Sequence, residues 1–327
     1  MSSTATVAGA SARPAQRRWL PLAAIWLALV TAPVWLPLLG GYTALAGKVL
    51  VFGLAAMGLN LLLGFTGVLS FGHAAYFGLG AYGAGFILKY VAASTPLAII
   101  AGTLFGGLAG TLFGTLIVRR RGVYFAMCTI AFGQIFYYIA YSWNDFTGGF
   151  DGLRGFHREP IGFAPLALDI TDGTWFYYFT LAVFAVAAVL MGLLIRSPFG
   201  RTLRAIRENE RRARFLGIPV EKHIWLSFSI SCFFTALAGT LYALLNNFAD
   251  PLALHYSLSG YFVIMAVMGG MRSFWGPLLG AAVFVVLQDY ISSMTINWMS
   301  FVGMIFMLVV LFFPRGLLGI LKRREVE

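Results

Sequence analysis

Charged residues are scarce in this sequence: Asp, Glu, Lys and Arg together make up 11% of its 327 residues. A soluble domain of the same length would carry roughly a quarter. Hydrophobic residues make up 60%, and the mean hydropathy is +0.83. Repeated apolar runs approach the ~20 residues that cross the hydrocarbon core of a bilayer. The composition therefore excludes an ordinary soluble domain and indicates a polytopic membrane protein.

Cysteine is rare as well, with two residues in the chain. Cys128 and Cys232 both fall in apolar stretches, so neither indicates a disulfide framework or a metal pair. The histidines His157, His223 and His255 lie in loops or at the ends of apolar stretches and show no ligand spacing. No nucleophile–base arrangement is visible either, so we expect no catalytic residue, no metal site and no enzymatic activity.

Two glycine-rich stretches have the outline of nucleotide-binding loops but lack their essential parts. Residues 78–83 match GxGxxG without the preceding strand or the later acidic residue. Residues 41–48 faintly resemble a phosphate-binding loop, yet Val49 replaces the Ser or Thr that would hold magnesium. We therefore expect this chain to bind no cofactor of its own, so that any ATP would be bound by another subunit.

Residues 1–18 are polar and are expected to form a flexible cytoplasmic tail, with a second tail at 322–327. The apolar stretch after residue 18 exceeds the ~7–15 residues of a cleavable signal core, so we interpret it as a retained span. Ten hydrophobic segments divide the expected membrane domain, 19–321, and the eighth is short for a full crossing. They lie at about 19–39, 44–64, 71–91, 96–118, 123–143, 175–195, 223–246, 258–271, 275–292 and 297–313.

The basic residues predict the orientation of these segments. The chain has 23 Lys and Arg and a net charge of +11, a balance that nucleic-acid binding would also produce. If the N-terminus is cytoplasmic and each segment crosses once, nineteen basic residues lie inside and four outside. Cytoplasmic loops of membrane proteins are enriched in Lys and Arg. We therefore predict an all-α fold with about ten crossings, both termini in the cytoplasm, and no nucleic-acid partner.

Residues 53–85 combine many glycines with a few polar side chains. Small residues let membrane helices approach closely, and glycine tolerates breaks. Asn60, Ser70 and His73 place polar groups around the junction of two spans. Such groups are costly within a membrane unless they are paired or face a wet path. Two interpretations stay open: a broken helix pair that lines a translocation path, and tight packing with a polar turn at the cytoplasmic surface.

The densest positive charge lies between Arg196 and Lys222, where eight Lys and Arg occur. Within this segment, 197–222, spacings of three, four and three predict that four arginines share one face of one helix. These are Arg204, Arg207, Arg211 and Arg214. The segment is either a solvated linker helix that holds anionic lipid or a docking helix that fits a soluble partner.

Other residues of the same segment refine the helix. Glu210 precedes Arg214 by four residues, the favourable order for an ion pair. Gly217, just before a proline-containing turn, is expected to end the helix. Apolar contacts are expected from four residues: Leu203, Ile206, Ala213 and Leu216.

The longest external loop is predicted at 144–174, and loops of this length are usually functional or disordered. Charged groups deep in the spans are nearly absent, and Asp289 is expected near the external surface. Carriers driven by protons or sodium usually need ionisable groups at the midplane. Their scarcity argues against self-powered transport, so a stand-alone carrier or channel is the weaker alternative.

Five blocks of the sequence resemble one family. Residues 58–85, GLNLLLGFTGVLSFGHAAYFGLGAYGAG, closely resemble the signature of LivM-type permeases, the membrane subunits of branched-chain amino-acid ABC importers. The other blocks are TGGFDGL (147–153), RTLRAIRENERRARFLGI (201–218), AGTLYA (238–243) with MGGMRSFWGPLLGA (268–281), and LFFPRGLLGIL (311–321). One departure is Arg211–Arg212, where the family commonly has small or apolar residues.

The resemblance implies a multi-pass permease of the inner membrane that moves branched-chain amino acids into the cytoplasm. Its implied partners are a second, homologous permease, two ABC ATPases that bind ATP and magnesium, an extracytoplasmic solute-binding protein and the lipid bilayer. Similar permeases carry urea, short amides or aromatic acids, so these cargoes stay open as alternatives.

The resemblance also assigns roles to residues of this sequence. Coupling to the ATPase is implied for Arg204, Arg207, Glu208, Glu210, Arg211, Ala213 and Gly217. The implied translocation path includes Asn60, Ser70, His73 and Gln134. Contact with the solute-binding protein is implied for Thr147, Gly148, Gly149, Asp151 and Gly152.

Overall fold

A computed structural model describes residues 20–38, 40–92, 94–160, 169–313 and 316–319. Within those ranges the regular secondary structure is helical, and no β-sheet is present. One isolated antiparallel bridge joins Leu153 to Ala249. The helices are α1 (Leu20–Val30), α2 (Ala32–Leu38), α3 (Thr43–Asn60), α4 (His73–Phe86), α5 (Thr95–Ile117), α6 (Val123–Ser142), α7 (Asn144–Thr147), α8 (Gly173–Arg196), α9 (Pro198–Glu208), α10 (Glu210–Phe215), α11 (Val220–Asn246), α12 (Tyr256–Gly269), α13 (Gly276–Met294) and α14 (Trp298–Phe312). Both predicted tails lie outside the described residues.

Seven of the described helices are long and apolar enough to cross a membrane. They are α5, α6, α8, α11, α13, α3 with its π-helical extension to Thr66, and α14, which lies within the candidate span Trp298–Gly319. Each corresponds to one predicted hydrophobic segment. The all-α membrane fold is thereby confirmed.

The three other predicted segments are not among these seven. The first is two helices, because the turn at Thr31 separates α1 from α2, and Pro37 lies inside α2. The third is α4, which a π-helical turn extends to Val91. The eighth is α12, whose 14 residues confirm the short segment expected there.

Glycine allows the central helices to pack with their backbones almost in contact. A Cβ on Gly83 of α4 would lie 2.9 Å from the Cα of Gly102 in α5. Likewise, a Cβ on Gly106 would lie 2.7 Å from the carbonyl oxygen of Tyr76, and one on Gly239 of α11 would overlap the carbonyl of Phe77. Because only glycine lacks a Cβ, the small-residue packing expected for this region is confirmed.

The connection between α3 and α4 re-enters the bundle instead of turning at its surface. Residues 67–72 are non-helical, and within them Ser70 and Gly72 are buried. His73, the first residue of α4, contacts Ser231, the twelfth residue of α11. At 1.5 Å per residue this contact lies roughly 16 Å along α11. α4 therefore begins inside the bundle, among side chains of α11.

Candidate coupling and transport sites

The charged segment 197–222 forms two helices, so the single arginine face predicted for it is wrong. Asn209 has extended backbone angles, φ −158° and ψ 99°, and separates α9 from α10. Its side-chain oxygen accepts a hydrogen bond from the N–H of Arg212 at 2.9 Å, which caps α10. The sequence does contain a signal for this break: Asn209 is a preferred N-cap residue and lies inside an otherwise helical pattern.

Two arginines of α9, Arg204 and Arg207, bind backbone carbonyls of this chain. Arg207 donates a hydrogen bond to the carbonyl of Gly64, in the π-helical end of α3. Burial, together with the nearby charge of Arg272, lowers the pKa of Arg207. Arg204 donates to the carbonyl of Gly200 at 3.3 Å. Arg207 therefore joins the charged segment to α3, at the end of the bundle where α3 stops.

Four charges connect α10 to two spans. Glu210 accepts hydrogen bonds from Arg121 at 2.9 Å and from Arg214 at 2.8 Å, so the predicted Glu210–Arg214 pair is confirmed. Glu221, in the first turn of α11, contacts Arg214 at 2.6 Å and Arg121 at 3.6 Å. Partial burial raises the pKa of Glu210, but the two arginines outweigh that effect and hold the pKa below its ordinary value. We call these four residues the ionic cluster.

The end of α10 presents two large apolar side chains to solvent. Phe215 is 90% exposed and Leu216 is 74% exposed, whereas Ala213 is buried. Leu216 was expected to make apolar contacts within the fold, and that prediction is wrong. Gly217 has φ +80° and follows the end of the helix, which confirms it as the stop. Residues of the coupling list that face solvent are Arg204, Glu208, Arg211 and Gly217.

The polar residues predicted for a translocation path are mostly paired inside the bundle. His73 is fully buried, and its two ring nitrogens lie 2.9 Å from the Ser70 hydroxyl and 2.7 Å from the Ser231 hydroxyl. Asn60 donates to the carbonyl of Ser273 at 3.2 Å, while its Oδ1 is buried without a partner among the described residues. α4 begins beside Ser231, and both the broken helix pair and the role of these residues in a path stay predictions.

Gln134 differs from the other three predicted path residues. It is half-buried on α6, and its Nε2 has no hydrogen-bond partner in the part of the chain that the structure describes. Gln134 therefore does not join the cluster around His73.

The loop predicted to be external begins with a tightly ordered turn. The Thr147 hydroxyl donates to the carbonyl of Ala140 at 2.6 Å, and Gly148, Gly149 and Gly152 all have positive φ. Thr147, Gly149 and Gly152 are buried, whereas Asp151 is exposed and Phe150 is 72% exposed. The glycines therefore shape the turn, and its accessible side chains belong to Phe150 and Asp151. Contact with a binding protein stays a prediction.

Arg158 fastens the middle of this loop to two helices. Its guanidinium donates to the carbonyl of Thr171 at 2.8 Å and lies 4.5 Å from the centre of the Phe176 ring. It also reaches the carbonyl of Leu244 at 3.4 Å, near the end of α11. Residues 161–168 of the predicted loop lie outside the described residues.

These apolar helices, together with a helix that begins inside the bundle and a charged two-helix segment at one end, indicate a polytopic membrane protein. Residues 41–312 match the family described as the permease component of branched-chain amino-acid transport systems. Because the match covers most of the chain, the protein belongs to this family. It is a transport component rather than an enzyme, and the ATPases and binding proteins of such importers are its implied partners.

Curated relatives agree with this assignment. The chain is 26% identical over 297 residues to the high-affinity branched-chain amino acid transport system permease protein LivM of Escherichia coli (strain K12), covering 85% of this chain and 70% of the relative. It is 31% identical over 151 residues to the LivH permease of Salmonella typhimurium (strain LT2), covering 43% of this chain and 46% of the relative. No solved structure matches the sequence.

Proposed function

We propose that this chain is the LivM-type permease subunit of an ATP-driven importer that moves branched-chain amino acids into the cytoplasm. The complete machine would contain a second permease, two ATPases that bind ATP and magnesium, and an extracytoplasmic binding protein. The observation that carries the proposal is the charged segment with its exposed Phe215–Leu216 end, because it offers a soluble partner both an apolar anchor and a basic rim.

The geometry of α10 supports a docking role over that of a plain linker. Aromatic and arginine side chains dominate the binding energy of protein interfaces. Phe215 and Leu216 project beside the exposed Arg211 and Arg212. The one acidic residue of α10, Glu210, is held by Arg121 and Arg214. The surface left for a partner is therefore apolar and positive, which fits an apolar groove rimmed by acidic residues.

The ionic cluster offers a route from this docking surface into the membrane domain. It joins α10 to the start of α11 and to Arg121, just before α6. Arg207 adds a link to α3 through Gly64. We infer that movement of α10 by the ATPase is passed to these three helices and reorients the bundle between inward- and outward-open states.

Contacts between the loops support the proposed topology of ten crossings with both termini inside. The Arg119–Arg121 loop, α9, α10 and the loop at Arg272 meet at one end of the bundle. Arg154 and Arg158 lie at the other end, beside Phe248 and Phe176. The end with more basic residues is assigned to the cytoplasm of the cell's inner membrane.

The docking role is tested with Phe215→Ala and Leu216→Ala in the reconstituted complex. We expect each variant to lose most leucine uptake and most binding-protein-stimulated ATPase activity, because removing an interface anchor costs about 2 kcal/mol or more, roughly a thirtyfold change in affinity. Ile296→Ala is the matched control: this side chain is 96% exposed in the turn between α13 and α14. It should leave both activities unchanged.

The cargo is tested in the same vesicles with labelled leucine and urea. ATP-dependent leucine uptake supports the proposal, whereas urea uptake without leucine uptake would assign the alternative cargo. Transport that continues without ATP on an ion gradient would refute an ATP-driven importer. Normal coupling in both the Phe215 and Leu216 variants would refute docking through α10.

A further inference from the structure

A groove of about 300 Å³ lies between two of the candidate spans, α8 and α11. Five residues of α8 between Ala182 and Leu190 form one wall, and Phe234 and Leu237 of α11 form the other. All seven side chains are hydrocarbon, so the wall has no hydrogen-bonding side chain that could hold a water molecule. An empty groove would forfeit dispersion contacts. The groove is therefore suited to an apolar occupant.

The depth of the groove matches the reach of an acyl chain. Arg196 is the last residue of α8, and Leu190 and Ala182 precede it by six and fourteen residues. At 1.5 Å per residue, the groove lies roughly 9 to 21 Å from Arg196 along the helix. Each leaflet provides about 15 Å of the roughly 30 Å hydrocarbon core. An acyl chain that starts near Arg196 therefore extends into the groove.

Apolar side chains continue from the groove toward a basic residue on each helix. On α8, Leu193 is 62% exposed and lies about one turn before Arg196. On α11, Leu226 is 42% exposed and lies about one turn after Lys222. The half-buried Ile230 connects Leu226 to the groove. Both walls of the groove therefore lead to a cation at the same end of the bundle.

The cations at this end are available to an anion. The ring of Phe199, three residues after Arg196, lies 5.8 Å from that of His223, which holds the end of α8 beside the start of α11. Arg196 and Lys222 are exposed, and neither forms an ion pair within the described ranges. The adjacent acid, Glu221, is held by the ionic cluster. Basic residues between spans, on the cytoplasmic side, are a typical site for anionic headgroups.

We propose that this groove binds the acyl chain of an anionic phospholipid, with the headgroup against Arg196 and Lys222. The hydrocarbon wall accepts the chain, and the two cations favour a headgroup with net negative charge over a zwitterionic one. An apolar helix of another subunit would also fill the groove, but it would leave both cations without a counter-charge. The inference does not depend on which solute the protein transports.

The site is tested by photo-crosslinking in the intact complex, reconstituted in phosphatidylcholine nanodiscs. The probe is phosphatidylglycerol with a diazirine near the middle of one acyl chain, and phosphatidylcholine with the same chain is the comparison. Peptide mass spectrometry locates the labelled residues. We expect phosphatidylglycerol to label the groove at least about fivefold more than phosphatidylcholine does, because two cations act on its headgroup. The exposed side chains of α14, Met304, Met307 and Leu311, should show no such preference.

Three results would overturn the proposal. Equal labelling of the groove by the two lipids would show that the headgroup is not recognised. The same preference for phosphatidylglycerol on α14 as in the groove would show that the groove is ordinary lipid-facing surface. A groove that neither lipid labels would be covered by a polypeptide instead of a lipid.

The headgroup contact is tested by removing both cations together. Arg196→Gln combined with Lys222→Gln should abolish the preference of the groove for phosphatidylglycerol. Arg119→Gln combined with Arg120→Gln is the matched control, because it removes the same charge from another exposed loop. The control should keep the preference. Equal loss of the preference in both double variants would refute a specific headgroup site.

The acyl-chain contact is tested by filling the groove. Val186→Phe enlarges a residue of the wall, whereas Val189→Phe enlarges a residue of α8 outside it. The two side chains are 61% and 59% exposed. Phosphatidylglycerol should raise the thermal midpoint of the delipidated complex in the unmodified protein and in Val189→Phe, and much less in Val186→Phe. The same increase in both variants would refute the groove. Failure of the unmodified complex to import leucine would refute the proposed function and leave this test unaffected.

Discussion

The two ends of the bundle are held together by different kinds of interaction. At the end assigned to the cytoplasm, the ionic cluster uses side chains that are about 32–50% exposed. At the opposite end, backbone hydrogen bonds between Leu153 and Ala249, positive-φ glycines and the half-buried Arg158 hold the loop. Exposed ion pairs contribute little and are easily rearranged. The contacts at the end assigned to the cytoplasm therefore rearrange more easily than those at the opposite end, which hold one fixed backbone shape.

The largest expected difference between the two ends comes from adding one methyl group to a glycine at each end. In Gly152→Ala the new Cβ would lie 2.6 Å from the carbonyl oxygen of Ala249, at φ +68°, so clash and strain act together. In Gly217→Ala the backbone has φ +80° with nothing within 4 Å, so strain alone costs about 1–2 kcal/mol. We expect Gly152→Ala to lower the thermal midpoint of the purified complex clearly more than Gly217→Ala. Equal shifts would contradict a rigid outer end.

Arg158 should be the next largest contributor. Arg158→Met removes the hydrogen bond to Thr171 and the interaction with the Phe176 ring, a loss of about 2 kcal/mol. Burial lowers the pKa of Arg158, yet an arginine stays charged at any physiological pH. Arg154→Met is the control, because this exposed side chain lies 5.2 Å from the Phe248 ring. Proteolysis of the external loop should increase in the first variant and stay unchanged in the second.

The buried polar contacts between the two ends provide an intermediate case. His73→Ala would leave the hydroxyls of Ser70 and Ser231 without their imidazole partner, at a cost of about 1–3 kcal/mol. His157→Ala changes an exposed loop residue and should have no effect on the thermal midpoint. If the two variants unfolded at the same temperature, the cluster around His73 would not be a structural element.

The ionic cluster should give a small, salt-dependent effect. Glu210→Gln is expected to cost about 0.2–1 kcal/mol at low ionic strength, and less at 1 M salt, where the screening length falls to about 3 Å. Glu208→Gln is the control, because Glu208 is exposed and has no ion pair within the described ranges. An effect of Glu210→Gln that does not change with salt would indicate that Glu210 acts by packing instead of charge.

The pH dependence of the cluster has the smallest expected effect. The arginines hold the pKa of Glu210 below its ordinary value, so its contribution to stability is present above the unfolded pKa, about 4.3. That contribution decreases as the pH falls through the lower, folded pKa. In a melting series between pH 8 and pH 3, the difference between Glu210→Gln and the unmodified protein should therefore stay constant near neutrality and decrease only below the unfolded pKa. A difference between Glu210→Gln and the unmodified protein that disappears above pH 6 would contradict this assignment.

Hydrophobicity and charge predict much of this fold because each long span is specified locally. Seven helices follow from the length of their apolar runs, and Gly217 and the Glu210–Arg214 pair follow from helix geometry. The break at Asn209 was not predicted because the arginine spacing on both sides of it is helical. The structure shows that the cap provided by Asn209 interrupts the helix in spite of that spacing. The exposed position of Leu216 was missed because an apolar side chain has no sequence signal that distinguishes a core contact from a docking surface.

The site required tertiary information that spacing does not contain. Asn60, Ser70, His73 and Gln134 all appear as polar residues in apolar runs. Only the packing of α11 shows that His73 is bonded by Ser231, and only the packing around α6 shows that the Nε2 of Gln134 is buried without a partner among the described residues. The expected surface of the external turn changed similarly, because positive φ places its glycines inside and Phe150 outside.

The re-entrant start of α4 has a consequence for how the protein is made. Ser231 follows His73 by 158 residues. At about 5–20 residues per second, a ribosome needs about 8–30 s to produce that stretch. Until that stretch is made, the imidazole of His73 has Ser70 as a neighbour in sequence but lacks the Ser231 hydroxyl. Assembly of the nascent permease is ordered by a partner encoded nearly half a chain later.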